Sequence, residues 1–203
     1  MKISILISVI AFSFIFNLYA QDDKEMNTTD LPYYEIPESP AKFTAETTAA
    51  RMIDGLGFRY YWATEGLTEK DLNYRPSDMA RSSGETINHI LGLTNMILNA
   101  TKKVPNGGPK NKQELTFADK RKLTLENLKE ASDILKSSGA DGLEDYKIIF
   151  QRGNSTTEMP FWNVINGPIS DALWHVGQIV SFRRASGNPF NSKASVLSGK
   201  VKG

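Results

Sequence analysis

Four stretches of the 203-residue chain carry apolar side chains at intervals of three and four, the spacing that gathers them on one face of an α-helix. Four such faces can leave water only by packing on one another, so this pattern points to an all-α four-helix bundle. The first stretch runs from Thr44, a capping residue, to about Glu65, with Ala49, Met52, Ile53, Leu56, Tyr60 and Ala63 in phase and Gly66 as its stop. Gly55 and Gly57 weaken this helix, and the expected return is close approach of a neighbouring helix. Leu67–Ala80, with Pro76, reads as a connection with a short turn at Thr68–Asp71.

A capping box, Ser82 with Glu85, announces the second helix, which carries Ile87, Ile90, Leu91, Leu93, Thr94, Ile97 and Leu98 to about Thr101. Pro105-Asn106-Gly107-Gly108-Pro109 ends it. The third starts near Thr116, with Asp119 three residues on, and carries Leu123, Leu125, Leu128, Ala131, Ile134 and Leu135 as far as Ser137. Its outer face, Lys120, Arg121, Lys122, Glu126, Lys129 and Glu130, reads as solvated. Residues 146–157 suggest a small β-hairpin around Gly153-Asn154. The fourth helix starts either at Pro160, with a kink at Gly167-Pro168, or at Asn166; the long, kinked form is preferred. Arg183 and Arg184, then Gly187 and Pro189, close it. The domain reading is a signal peptide at 1–20, an arm at 21–43, the bundle at 44–189 and a tail at 190–203.

The leader is read from Lys2, the apolar run Ile3–Phe16 and the small residue Ala20 before a polar stretch. The run falls short of the roughly 20 residues a spanning helix needs, so cleavage and export, to a periplasm or the medium, are expected rather than an integral membrane anchor. The chain has 24 basic and 23 acidic side chains, and losing Lys2 equalises them, so nothing favours nucleic acid or an anionic membrane as partner. The absence of cysteine excludes disulfides, thiolate metal sites and a lipidated cysteine.

The chemistry gathers in the fourth helix. Asp171 and His175 stand one turn apart, with Gln178 continuing the stripe, among Leu173, Trp174, Val176, Ile179 and Val180. That setting predicts a largely buried polar stripe, costly unless paired, hydrogen-bonded or metal-bound. The chain's two histidines, His89 and His175, each follow an acid by four residues, Glu85 and Asp171. Glu85 has a competing job as the capping residue; Asp171, inside its helix, has none. If the second and fourth helices are neighbours, His89, Asp171 and His175 converge. Two neutral imidazoles and a carboxylate suit Zn²⁺, Fe²⁺ or Ni²⁺. The alternative is a core histidine bonded to a helix carbonyl or to Asp171.

Two segments, Gly84-Glu85-Thr86-Ile87-Asn88-His89-Ile90 and Asp171-Ala172-Leu173-Trp174-His175-Val176-Gly177-Gln178-Ile179, resemble the DinB-like superfamily of metal-binding four-helix bundles, over roughly Thr44 to Pro189. The family usually presents one histidine from its second helix and an H-x-x-x-H pair from its fourth. His89 and His175 match the first and last of these, while Asp171 stands where the middle histidine is usual. The resemblance implies a divalent metal, such as zinc or nickel, held by His89, Asp171 and His175, and a homodimer; Gln178, one turn beyond His175, reads as a support for a ligand rather than as a ligand. Activities known in the family include thiol-dependent transfer and isomerisation, in which the metal acts as a Lewis acid. An exported location weakens the thiol route. Tyr60, Tyr61 and Trp62 either wall a pocket or fill the core. No phosphate loop or dinucleotide fingerprint occurs, and no spare histidine remains for a serine triad. The expected function is metal-dependent hydrolysis or transfer on an unknown small molecule; the rival is a non-enzymatic bundle binding metal, ligand or a partner protein.

Overall fold

The computed structural model describes residues 31–107, 114–139 and 142–203. The expected leader, the first part of the arm and Gly108-Pro109 lie outside the described residues. Helix α1 (Ala45–Thr64) begins at Thr44, whose backbone N–H donates to Thr47 Oγ1 at 2.8 Å. A short α2 (Glu69–Asn73) follows, opened by Thr68 N–H donating to Asp71 Oδ2 at 2.8 Å. Helix α3 (Ser83–Lys102) is the expected second helix: Ser82 N–H donates to Glu85 Oε2 at 2.7 Å and Glu85 N–H returns to Ser82 Oγ at 3.1 Å. Helix α4 (Phe117–Ser137) repeats the device with Thr116 and Asp119. The hairpin is present, β1 (Lys147–Arg152) pairing antiparallel with β2 (Ser155–Pro160).

The last helix is long and interrupted. Helix α5 (Phe161–Val164) passes through a π-helical turn, Ile165–Ile169, into α6 (Ser170–Ser186). Pro168 lies in that turn and brings no N–H, so the ladder must break there. Ser170 Oγ donates to Ile165 O at 2.6 Å, a carbonyl that also accepts the Ser170 backbone N–H. Gly187, at φ 98°, ends α6 in the left-handed conformation that glycine adopts without strain.

Helices α1 and α3 each pack against both α4 and α6, so the four long helices surround one core. Ile53, Leu56 and Tyr60 meet Ile87, Ile90 and Ile97, Leu125 and Leu128, and Ile169 and Ile179 there, all fully buried. Each of these aliphatic side chains contributes about 1.5–3 kcal/mol by leaving water. Tyr61 and Trp62 are buried with Tyr60, so these aromatics belong to the core.

Two readings of the sequence change. Arg121 is 5% exposed, not solvated, while Leu123 is 38% exposed. Arg121 shares a face with Leu125, Leu128 and Ser132, and it donates from Nε to Thr64 Oγ1 at 3.1 Å and from Nη2 to Tyr61 O at 3.3 Å. Its charge is met by Glu65, so it closes the end of α1. Second, what approaches Gly57 is not a helix but the ring of Tyr33: a Cβ there would lie 2.4 Å from Tyr33 Cδ2. The arm is thereby fastened to α1, with Tyr33 at φ 74° and its hydroxyl donating to Asp54 Oδ1 at 3.0 Å. The C-terminal segment forms a short ladder, β3 (Ala194–Ser195) with β4 (Lys200–Val201), tied to the arm by Ile36 N–H donating to Gly199 O at 2.8 Å. No helix among the described residues is long and apolar enough to cross a membrane.

Candidate metal centre

The seam between α3 and α6 carries the polar groups singled out in the sequence. His89 Nε2 lies 3.1 Å from Asp171 Oδ2, and His175 Nε2 lies 3.2 Å from Asp171 Oδ1. One carboxylate thus reaches an imidazole on each helix. The two rings stand edge to face, 4.6 Å between centroids and 87° between planes. On its far side His175 turns Nδ1 to Gln178 Oε1 at 2.7 Å.

The stripe is not buried to the depth that its apolar flanks suggest. His175 is 13% exposed, but Asp171 is 38% and His89 32% exposed. Trp174, expected to help bury the helix, is 72% exposed. The reason is helical phase: Ala172, Val176 and Ile179 take the core face and Trp174 falls opposite them. The cluster therefore sits at the open edge of the bundle.

The contact with Gln178 favours one tautomer of His175. An amide oxygen only accepts, so Gln178 Oε1 takes the proton of His175 Nδ1. A neutral His175 then presents a lone pair at Nε2 to the carboxylate oxygen 3.2 Å away. A cation held between the groups would satisfy both electron-rich atoms. The donor set fits a cation. Ligands about 2.0–2.2 Å from one ion, seen at right to tetrahedral angles, stand roughly 3.0–3.4 Å apart. One ligand atom from each of His89, Asp171 and His175 lies within 4.8 Å of the others, so the group could hold a metal ion.

Glu85 stays outside this group. The backbone N–H of Ser82, then Arg75, hold its carboxyl below the usual carboxylate range. Arg75 Nη2 approaches Glu85 Oε2 at 3.0 Å. Arg75 was not singled out in the sequence, because no periodicity links a loop residue to a helix ten residues on.

No protein-family model matches the chain, and no curated protein matches it. Among solved structures it is similar to a DinB-like protein from Bacillus subtilis, with 18% identity and a TM-score of 0.50, over 68% of this chain and 92% of that one. The class defined by the arrangement is a mostly α-helical bundle with a two-histidine, one-carboxylate cluster between two helices. Its fold is the DinB-like fold.

Proposed function

We propose that this chain is an exported protein that holds a divalent ion, zinc or nickel, through His89, Asp171 and His175. The observation that supports this best is the shared carboxylate, both of whose oxygens face an imidazole Nε2 while Gln178 occupies the back of His175. The ion supplies Lewis acidity, polarising a carbonyl or a water at the open side of the cluster. The protein's own contribution is orientation. Gln178 fixes the His175 tautomer and ring plane, Asp171 brings the two helices' ligands to one point, and the exposed edges of His89 and Asp171 leave room for a substrate.

The reaction class this favours is hydrolysis or group transfer on a small molecule, with water preferred over a thiol because low-molecular-weight thiols are scarce outside the cytosol. One observation favours a second reading, metal or ligand binding without turnover. Both histidines of the chain are used by the cluster, which leaves no imidazole as a separate general base.

Cobalt(II) substitution tests the ligand set. Loading should give visible ligand-field bands that disappear in Asp171→Ala, and a panel of activated esters and phosphoesters then separates enzyme from binder. Bands unchanged by Asp171→Ala would remove that residue from the set. Export is tested by N-terminal sequencing of the protein from the extracytoplasmic fraction, where a mature chain starting at Gln21 is expected.

A further inference from the structure

On the other side of α6, facing α1 and the C-terminal segment, runs a groove of about 510 Å³ that shares no residue with the metal cluster. That volume is within the roughly 300–1,000 Å³ of small-molecule sites. Leu173, Val176, Val180 and Phe190 give it an apolar length, and Arg59 and Arg184 give it charge. No acidic residue lines it.

Two arginines of the chain are met by carboxylates. Arg75 meets Glu85, and Arg121 meets Glu65. Among the described residues no ion pair involves Arg59 or Arg184; Arg59 donates one N–H to Gly55 O at 2.9 Å. Gly177 also lines the groove. It sits inside α6, where glycine weakens a helix, yet nothing lies within 4 Å of where its Cβ would be. Its missing side chain keeps that wall of the groove low. Val196, 47% exposed, lines the groove, and its chain neighbour Leu197 is 97% exposed.

We infer that this groove binds a single-chain carboxylate amphiphile of the medium-chain fatty-acid type. The acyl chain lies along Leu173, Val176, Val180 and Phe190, and the carboxylate pairs with the guanidinium groups of Arg59 and Arg184. A guanidinium recognises a carboxylate through paired N–H donors, and apolar walls add affinity in proportion to the chain they cover.

Isothermal titration of the full chain with decanoate, below its micellar concentration, tests this. Saturable one-to-one binding is expected, at least about tenfold weaker for decanol and in the double variant R59Q/R184Q. Gly177→Leu should block binding without lowering the thermal midpoint. Asp171→Ala should bind decanoate as the wild type does, which separates the groove from a carboxylate captured by a metal. Four results would overturn the proposal: no saturable binding, equal affinity for decanol, binding lost in Asp171→Ala, or association with anionic vesicles alone. A decanoate-independent dimer that buries Gly177, read by light scattering and cross-linking, would do the same.

Discussion

Gln178 and His175 form a 2.7 Å contact that fixes which imidazole nitrogen faces Asp171. Because the amide oxygen takes the Nδ1 proton, Nε2 is the nitrogen left for the cluster. Such supporting contacts are worth about 10–100-fold in metal affinity. Gln178→Leu should weaken zinc binding by that factor in a competition titration with a chromogenic chelator, with the far-UV circular dichroism unchanged. Unaltered affinity would mean that the ring is held by packing alone.

Glu85 separates a cap from a ligand. Gln also serves at this position of a capping box, so Glu85→Gln should keep most of the helix stability, whereas Glu85→Ala should lower the thermal midpoint. Both variants should bind the same amount of metal as the wild type. A loss of metal in Glu85→Gln would place that carboxylate in the cluster.

Two glycines should respond in opposite directions to the same added methyl group. A Cβ on Gly57 would strike the Tyr33 ring at 2.4 Å, while nothing lies within 4 Å of one on Gly92. Gly57→Ala should destabilise by about 1–3 kcal/mol, through displacement of the arm. Gly92→Ala should stabilise by about 0.5–1 kcal/mol, through lost freedom in the unfolded chain. Urea unfolding midpoints measure both.

The helices and the polar stripe were legible because local chemistry dictates them. Thr44, Ser82 and Thr116 each cap with the residue three places on, and Asp171, His175 and Gln178 share a face whatever surrounds them. The start of the last helix was legible too, because Pro160 can begin a helix and Pro168 can only disturb one. What periodicity does not carry is the partner across space. Arg121 looks like surface until Thr64 and Glu65 are placed beside it, although its spacing from Leu125 and Leu128 carries the hint. The Tyr33–Gly57 contact joins residues in no common element, and the exposure of Trp174 follows from which face α1 and α3 cover.

Asp71 gives the fold an acid-sensitive point. Burial opposes its ionisation, but hydrogen bonds from Asn188, Ser186 and Thr68 outweigh burial and hold its carboxyl well below the usual range. A depressed folded-state pKa adds stability that is complete above the unfolded value, about 3.9, and is lost as pH falls below it. Asp71→Asn should cost about 1–3 kcal/mol at neutral pH, because the buried donors that meet the carboxylate lose their partner. The gap between wild type and variant should hold from pH 7 to about pH 5 and shrink below about pH 4, measured by denaturant unfolding across pH. A gap that persists at the lowest pH would show that the hydrogen bonds do not depend on charge.

The most direct measurement of the central claim is the metal content of the purified full-length chain after equilibration with zinc or nickel and removal of excess, by inductively coupled plasma mass spectrometry. One ion per chain is expected in the wild type, with stoichiometric binding lost in each of His89→Ala, Asp171→Ala and His175→Ala while the helical circular dichroism is retained. A wild type that retains no stoichiometric ion, or a His89→Ala variant that retains it in full, would contradict the account.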